Sequence, residues 1–592
     1  MTRETFLSQT RAEMIQPTPG PAAPSIFEQR RPGASWADLL IIGLGLALFY
    51  GVLTLARTWL GPFTPAAAIS ERPAALAGYT AYSLLRMAVA YVLSLAFSLV
   101  YGYVAAYYPK AERLMIPLLD IMQSIPVLSF LPGVMLAMIA LFPHSQLGVE
   151  LGAILLIFTG QVWNMAFSFY SSLKSIPTEL REAARIYRFN AWQRLVRLEL
   201  PFSALGLVWN SMVSVATGWF FLMVCEMFVL GKRDFRLPGL GSFLQTAASA
   251  GDTTAILWGL LAMVSVIVLI DQLIWRPVIC WADKFKFEQV EGTDAPHSAV
   301  FDLVQRSPTL AWLRQKALTP LGERVNLHFV HRARHERPRQ SPRWAGWASW
   351  LLAAAVLAAA AYALLHVGMQ FAALDRRESL AILRGAGATL LRVLCALVIG
   401  AAWAIPAGVA IGSSPRLARI AQPIVQIAAS VPATALFPVV LLFLIGTGGG
   451  LGVAPVVLML LGTQWYILFN VIAGAMGIPS DLKEAARVFR FGRTERWRLL
   501  ILPGIFPFLI TGMVTAAGGA WNASIVAEYF HFKGRTLQTT GLGSLISAAA
   551  DSGNFDRLLI ATVVLASIVV VTNRLVWRPL YRLAETRYRL ET

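Results

Sequence analysis

Long apolar runs in two sets of six are the feature that most constrains the fold of this chain. An α-helix needs about 20 apolar residues to cross the ~30 Å of hydrocarbon in a bilayer. Helices also satisfy their own backbone hydrogen bonds, which a bilayer requires of every spanning segment. We therefore predict an all-α polytopic membrane protein with about 12 transmembrane helices. The predicted spans lie near residues 37–60, 80–108, 114–141, 150–172, 201–230, 255–276, 344–366, 386–412, 417–445, 452–475, 503–530 and 557–577.

Composition and charge agree with a membrane location. The chain is 57% hydrophobic and 14% charged, against about 45–50% and about 25% in soluble domains. Its net charge of +18 would suggest nucleic acid in a soluble protein. The basic residues lie between the apolar runs, however, which is typical of the positive cytoplasmic loops of membrane proteins. We therefore expect contact with membrane lipid and no nucleic-acid partner.

The two sets of runs are copies of one pattern, which indicates internal duplication. Matched residues occur in the same order, first 306 and later 302 residues apart. An even number of spans returns the chain to the side it left, so we predict two parallel six-helix repeats. The matched pairs include Arg86 with Arg392, Pro126 with Pro432, Trp163 with Trp465, Pro201 with Pro503, Glu226 with Glu528, and Gly239-Leu240-Gly241-Ser242 with Gly541-Leu542-Gly543-Ser544.

The repeat divides the chain into four predicted regions. Residues 1–35 are a polar, Pro-rich cytoplasmic tail without the features of a signal peptide. Residues 36–281 form the first half and 344–592 the second. Residues 282–343 form a cytoplasmic linker, either a plain tether or a segment that regulates or binds anionic lipid. Lys and Arg placement puts both termini in the cytoplasm.

A short polar helix recurs between the fourth and fifth runs of each half. Residues 176–185 read Ile-Pro-Thr-Glu-Leu-Arg-Glu-Ala-Ala-Arg, and residues 478–487 read Ile-Pro-Ser-Asp-Leu-Lys-Glu-Ala-Ala-Arg. Thr178 and Ser480 are predicted N-caps, because a hydroxyl can accept a free backbone N–H. Two equivalent copies on one side favour attachment points for a soluble partner over a helix lying on the lipid surface.

These polar segments resemble the EAA loops of type I binding-protein-dependent ABC importer permeases. The chain as a whole resembles fused permeases of the branch that includes nitrate, sulfonate, taurine and bicarbonate systems. The resemblance implies a permease subunit in a bacterial inner membrane, with two ATPase subunits below and a periplasmic binding protein above. ATP and Mg²⁺ belong to the partner subunits, and this chain has no cofactor, catalytic residue or metal site of its own. The expected cargo is a small anion.

The resemblance also implies which residues contact the ATPases. They are Thr178, Glu179, Glu182, Ala183, Ala184 and Arg185 in the first copy and Ser480, Asp481, Glu484, Ala485, Ala486 and Arg487 in the second. The family usually has glycine six residues after the glutamate, where this chain has Arg188 and Arg490. Asn190 and Gly492 follow two residues later and tolerate a left-handed turn, which predicts a slightly longer helix.

Pathway candidates come from polar or kinked positions within the spans. Proline breaks and membrane-embedded charges are both tolerated where they face protein or a water-filled cavity. Either lining of the pathway or simple bending explains the prolines. Arg86 and Arg392 suit an anion, yet they also suit neutralisation of Asp120 or Glu226. The candidates are Arg86, Arg392, Ser124, Pro126, Ser430, Pro432, Trp219, Trp521 and Asn522.

Other functional classes are less compatible with the sequence. The chain has no G-x-x-x-x-G-K-[ST] loop, so it is not its own P-loop ATPase. Its three cysteines show no metal-ligand spacing, and its seven histidines do not cluster within the spans, which disfavours a membrane enzyme. The main alternative is an ion-gradient-driven secondary transporter with six plus six helices. It would need titratable relays but no paired polar helices.

Overall fold

The computed structural model describes residues 68–230, 233–285, 298–306, 375–446, 452–532 and 535–587, with scattered residues between 312 and 372. The predicted span at 37–60 and the N-terminal tail lie outside the described residues. So do nearly all of the span at 344–366 and most of the linker, in which only Ala299–Arg306 forms a described helix of some length. The four predicted regions therefore remain predictions.

The two halves contain the same elements in the same order. The first half comprises α1 Leu76–Tyr107, α2 Pro109–Ser124, α3 Leu131–Leu141, α4 Leu147–Lys174, α5 Thr178–Ile186, α6 Leu200–Cys225, β1 Met227–Leu230, β2 Arg233–Arg236, α7 Leu240–Ala250 and α8 Thr253–Ile270. The second half comprises α9 Arg376–Ser413, α10 Pro415–Ser430, α11 Ala433–Gly446, α12 Ala454–Met476, α13 Ser480–Val488, α14 Leu502–Ala527, β3 Tyr529–Phe532, β4 Arg535–Gln538, α15 Leu542–Ser552 and α16 Phe555–Thr572.

Eight helical stretches in the described part of the chain are long and apolar enough to cross a membrane. Two shorter apolar helices, at 127–141 and 433–444, add one segment to each half. The first apolar run of each half lies outside or almost outside the described residues. Counting these two runs as spans would give the predicted total of about 12. The long stretches are Pro73–Tyr107, Leu147–Lys174, Ala191–Cys225, Thr253–Phe285, Arg376–Ser413, Ala454–Met476, Arg493–Ala527 and Phe555–Ala584.

The predicted third spans are broken rather than continuous. In the first half α2 ends at Ser124, and the helix resumes after Pro126 as a 3-10 turn that leads into α3. In the second half α10 ends at Ser430, and α11 starts after Pro432. Proline removes a backbone donor and keeps the preceding residue out of the helical region, which explains both breaks.

The fifth predicted spans, 201–230 and 503–530, extend too far, because both helices end earlier. α6 stops at Cys225 and α14 at Ala527. The residues that follow form two antiparallel hairpins, β1 with β2 and β3 with β4. The described part of the fold is thus helical apart from two hairpins. The apolar pattern concealed them, since β1 is apolar throughout and β3 is apolar except for His531, so both extend a hydrophobic run.

Each half reaches across to the other through its broken third segment. The turn Val127–Phe130 packs against α14, and α2 packs against α16. In the same way α11 packs against α6 and α8. The hairpins also cross, since β1 contacts α15 and β3 contacts α7. Near the centre, the hydroxyls of Thr217 and Tyr466 lie 3.2 Å apart. This reciprocal packing joins the two halves through contacts that repeat with an approximate two-fold relation.

Candidate functional site

The two polar helices, α5 and α13, form where the sequence predicts them but start differently. Pro177 and Pro479 are the N-caps, and no side chain caps either helix. Thr178 is the first helical residue, and its hydroxyl donates to Glu179 Oε1 at 3.3 Å. The N-cap prediction for Thr178 and Ser480 is therefore wrong. The fixed φ of proline suits a helix start, and no described side chain takes the place of the predicted capping hydroxyl.

One side of each polar helix faces away from the protein. Glu182 and Glu484 are exposed, whereas Ala184 and Ala486 are buried against the chain itself, at 6% and 3% exposure. These two alanines thus let the helix lie close to its own permease half, and their contact with an ATPase remains a prediction. Five further residues of the predicted contact set are exposed: Thr178, Glu179, Arg185, Asp481 and Arg487. Two more, Ala183 and Ala485, are half-buried, and the side chain of Ser480 is not among those described.

Both polar helices end in a left-handed arginine. Arg188 has φ 51° and Arg490 has φ 52°, the positive-φ region that glycine usually occupies. The Phe189 N–H donates to the Ala184 carbonyl at 2.9 Å and the Arg188 N–H to the Arg185 carbonyl at 2.9 Å, which is a Schellman motif. The predicted longer helix is wrong, because the arginines themselves make the turn.

Asn190 and Gly492 serve the next helix instead of ending the polar one. Asn190 has extended backbone and caps Ala191–Arg194, accepting from the Gln193 N–H at 2.7 Å. Gly492 is also extended, and its N–H donates to Glu495 at 2.8 Å. A new helix therefore starts only a few residues after the polar helix has ended.

Large apolar side chains stand exposed at the end of each polar helix. Ile186 and Tyr187 are 79% and 75% exposed, and Val488 and Phe489 are 78% and 73% exposed. They lie beside the arginines with positive φ. Exposed apolar residues clustered among charges are typical of interaction surfaces. The same cluster occurs at equivalent positions in both halves, which supports a shared role.

A basic side chain ties each polar helix to the preceding membrane helix. Arg181 Nη2 donates to the Leu173 carbonyl at 2.7 Å and to the Lys174 carbonyl at 3.1 Å, at the end of α4. Lys483 approaches the Ala475 carbonyl at 3.5 Å in the second half. A cation at the carbonyl end of a helix is favoured by the helix dipole. Displacement of a polar helix would therefore pull directly on a membrane span.

A buried glutamate forms a junction at the other end of the spans. Glu226, which is 0% exposed, accepts from the Ser83 hydroxyl at 2.6 Å and from the Gly241 N–H at 2.7 Å. Ser83 in turn accepts from the Leu240 N–H at 2.9 Å. The carboxylate thus joins α1, the end of α6 and the positive N-terminus of α7.

The second half repeats this junction with threonine in place of serine. Thr389 donates to Glu528 at 2.8 Å, and the Gly543 N–H donates to the same carboxylate at 2.9 Å. A Cβ added at Gly239 or Gly541 would collide with the glutamate carboxylate. The duplicated Gly-Leu-Gly-Ser motif is therefore explained by close approach of backbone to a buried charge.

The two candidate pathway arginines pair with these glutamates. Arg86 donates to Glu226 at 2.8 Å and binds both oxygens of Glu150, at 2.5 and 2.7 Å. Arg392 donates to Glu528 at 2.8 Å. Pairing with Glu226 was one of the two alternatives open for Arg86, and its full burial removes it from any pathway surface. The side chain of Asp120, the other suggested partner, is not among those described.

The remaining pathway candidates are mostly buried. Trp219 and Trp521 are each 2% exposed. Asn522 is half-buried; its Nδ2 donates to the Gly518 carbonyl at 3.1 Å, and its Oδ1 has no hydrogen-bond partner among the described residues. Pro126 and Pro432 are buried at the helix breaks, and the side chains of Ser124 and Ser430 are not described. Their assignment to a pathway remains a prediction.

Sequence reasoning did not identify Glu150, Ser83 or Thr389. Ser83 and Thr389 follow the same 306-residue offset as the arginines, so the repeat held a signal for them. Glu150 aligns with Gly452 and has no acidic counterpart, so the repeat gave no signal for it.

Comparison with known proteins agrees with this architecture. The family model for the binding-protein-dependent transport system inner membrane component matches residues 98–274 and 396–583, once in each half and together more than half of the chain.

Individual relatives match over one third of the chain or less. The nitrate import permease protein NrtB of Leptolyngbya laminosa is 27% identical over 189 residues, 32% of this chain and 64% of its own length. The taurine transport system permease protein TauC of Escherichia coli is 28% identical over 31% of this chain and 61% of its own. The bicarbonate transport system permease protein CmpB of Synechococcus elongatus is 25% identical over 32% of this chain and 65% of its own.

The match thus covers just under two thirds of the length of these relatives. Each of the two matched ranges includes the polar helix and the hairpin of its half. The chain belongs to the family of binding-protein-dependent transport system inner membrane components, as a fused form that carries the family's domain twice.

Proposed function

We propose that the chain forms the complete translocation pathway of an ATP-driven importer of a small anion. Two ATPase subunits would attach to α5 and α13 from the cytoplasm, and a binding protein would deliver the solute on the opposite side. ATP and Mg²⁺ would be held by the attached subunits. Both polar helices and the basic loops that follow them would lie on the cytoplasmic face.

The observation that carries this proposal is the matched pair of exposed polar helices. Each offers an exposed glutamate, Glu182 or Glu484, beside exposed apolar residues. A helix bound only to lipid would bury its apolar side chains among acyl chains and would not need two equivalent copies. Two equivalent attachment helices are suited to binding two equivalent soluble subunits.

The contacts around each polar helix provide a way to transmit force. Arg181 ties α5 to the end of α4, and α4 packs along α1 and α6. The broken third segments carry movement across to the other half, because α2 packs against α16 and α11 against α6. Drawing the two polar helices together would therefore rock the halves against each other, as rigid bodies do at packed interfaces.

The proposed cargo follows from the relatives. They are named for nitrate, taurine and bicarbonate, which are small solutes with an anionic group. Within this chain, the arginine at 392 is partly exposed at the face opposite the polar helices, which is compatible with an anion.

A double charge reversal tests the attachment role. Glu182→Lys with Glu484→Lys should abolish anion uptake and the stimulation of ATP hydrolysis in proteoliposomes that contain the ATPase and binding protein. The chain should still insert and fold, since both glutamates are exposed. Asp302→Lys with Glu323→Lys is the matched control, because both residues are exposed in the linker. Unchanged uptake in the Glu182 and Glu484 variant would contradict the proposal.

The rival function is an ion-gradient-driven transporter. It predicts uptake by the chain alone, abolished by an ionophore and independent of ATP. The proposal predicts that uptake requires the ATPase subunits and persists when an ionophore collapses the gradient.

A further inference from the structure

Arg86 and Arg392 are held in the same way along one edge of the guanidinium group. Arg86 Nη1 donates to Glu226 Oε1 and to a backbone carbonyl, both at 2.8 Å. Arg392 Nη1 donates to Glu528 Oε1 at 2.8 Å and to a backbone carbonyl at 2.7 Å. The contacts of Arg86 can therefore be compared one by one with those of Arg392.

The described residues occupy the other edge of the guanidinium group in the first half only. Arg86 Nε and Nη2 bind the two oxygens of Glu150, the fork arrangement that arginine forms with planar oxyanions. Arg392 Nε and Nη2 form no hydrogen bond with the residues that the structure describes. The Arg392 side chain is 16% exposed, whereas that of Arg86 is 0% exposed.

Among the residues that the structure describes, none in the second half fills the place that Glu150 holds in the first. Its counterpart is Gly452, the first described residue after the stretch 447–451. A Cβ added at Gly452 would meet no described atom within 4 Å. Glu150 lies in the first turn of α4, whereas α12 starts only at Ala454. No carboxylate of this chain replaces Glu150 among the described residues.

A small pocket also lies beside Glu528. It is lined by Leu441, Ala454 and Thr539, and the Thr539 hydroxyl is buried without a described hydrogen-bond partner. The equivalent of Thr539 in the first half is Leu237, which is fully buried. Within the described part of the chain, the second half therefore has a guanidinium edge and a buried hydroxyl, each without a hydrogen-bond partner.

We propose that Arg392 binds a small planar oxyanion, of the carboxylate, bicarbonate or nitrate type, in the position that Glu150 holds in the first half. Charge supports this occupancy, because Arg86 already binds two carboxylates in the same fold. One anion bound at Arg392 together with Glu528 would likewise place two negative groups on one guanidinium. The inference rests on the proposed import function only for the arrival of an anion at this face.

The site lies far from the polar helices. Glu150 and Lys174 stand near opposite ends of α4, which places them about 36 Å apart at 1.5 Å per residue. The hydrocarbon core of a bilayer is about 30 Å thick. The anion site is therefore on the face at which a delivered solute would enter, and it provides a first contact with the permease.

Anion binding to the purified chain in nanodiscs, without ATPase subunits, tests the inference. Formate is the probe, titrated calorimetrically, with nitrate and bicarbonate as competitors and tetrahedral sulfate as the contrast. We expect one saturable formate site that nitrate and bicarbonate displace and sulfate does not. Arg392→Lys should weaken it about tenfold or more, because a point charge replaces the fork. Saturable formate binding unaffected by that variant, or no saturable binding, would overturn the inference.

Three variants at Glu150 and its counterpart Gly452 keep the test decisive if Arg392→Lys fails to fold. Gly452→Glu should abolish formate binding by supplying an internal carboxylate, whereas Gly452→Gln, equal in size but neutral, should retain most of it. Glu150→Gly should create a second formate site at Arg86, doubling the stoichiometry. Equal formate binding by the two Gly452 variants, or an unchanged stoichiometry in the Glu150 variant, would contradict the proposal. Because no ATPase is present, a failure here leaves the proposed import function to its own test.

Discussion

The glutamate junctions of the two halves share one design but differ in charge. At Glu226 a single guanidinium joins two buried carboxylates, whereas at Glu528 it joins one. The same contrast recurs at the opposite face. Arg194 Nε donates to the buried Glu199 at 2.6 Å, and the equivalent of Glu199 in the second half is Ile501. The buried carboxylates of Glu150 and Glu199 belong to the first half alone. The described second half has its own pairs nearer the surface, Arg557 with Glu378 and His531 with Asp551.

A third ionic contact strengthens this contrast. Glu112 on α2 accepts from Tyr170 at 2.5 Å and from Lys174 at 2.9 Å on α4. The three equivalent residues of the second half are Ala418, Ile472 and Met476. Duplication preserved the backbone and the glycine-lined junctions, while the ionic partners diverged. We infer that the first half is the stiffer part and that the second half provides the more open surface.

Removal of the arginines is expected to give the largest difference between halves. Arg86→Met leaves two buried carboxylates without their cation, and breaking such a buried network costs about 3–5 kcal/mol. Arg392→Met leaves one carboxylate beside a partly exposed position and should cost clearly less. Thermal unfolding of both purified variants in the same detergent measures the difference. Equal losses would contradict the assigned asymmetry.

Alanine at the junction glycines should show where the halves remain equal. Gly239→Ala and Gly541→Ala each place a Cβ against a glutamate carboxylate, so each should cost about 1–3 kcal/mol or more. The same unfolding measurement applies. Gly518→Ala, where a Cβ meets no described atom, is the control and should change stability little. A large difference in stability loss between the Gly239 and Gly541 variants would mean that the two glutamate junctions contribute unequally to the free energy of unfolding.

Glycine at the left-handed arginines should be stabilising in both halves. Arg188→Gly and Arg490→Gly remove a strained conformation worth about 1 kcal/mol each. Unfolding of the chain alone should therefore occur at a higher temperature for either variant. If attachment uses these exposed guanidinium groups, the double variant will also lose affinity for the ATPase. A decrease in stability would show that the arginine side chains hold the turn.

Acid should loosen the Glu112 contact in the first half alone. Hydrogen bonds from Tyr170 and then Lys174 lower the pKa of Glu112 below its ordinary value of 4.5. The contact therefore contributes fully above pH 4.5 and is lost as pH falls through the lowered pKa. Glu112→Gln should reduce the pH dependence of stability in this acidic range, and the exposed position makes the effect small. Identical pH profiles of stability for the unmodified chain and the Glu112→Gln variant would exclude a contribution of Glu112 to stability.

Much of the fold could be predicted because it depends on patterns that occur twice. Apolar runs, the ladder of matched residues and the polar helices identified the family, and that prediction is confirmed. Predictions failed where one local contact decides the outcome. The start at Pro177 and the turn at Arg188 follow from backbone geometry, which residue preference describes only on average.

The candidate site was predictable only where the repeat marks it. The glutamates and arginines stand at matched positions, yet their pairing depends on distances across α1, α6 and α7 that no sequence spacing reports. The third partner, Glu150, is found in one half only, so duplication could not reveal it. The hairpins were hidden because their first strands, β1 and β3, are almost wholly apolar and continue the apolar runs of the preceding helices.

Site-specific photo-crosslinking at Ile186 and Val488 tests the central claim most directly. Both side chains are highly exposed, at 79% and 78%, at equivalent ends of the polar helices. With a photoreactive amino acid at either position, the membrane-embedded chain should crosslink to one ATPase subunit at each, and a doubly substituted chain should capture two. Crosslinks to lipid alone at both positions, in a complex that still imports its solute, would contradict the attachment of ATPase subunits to the polar helices.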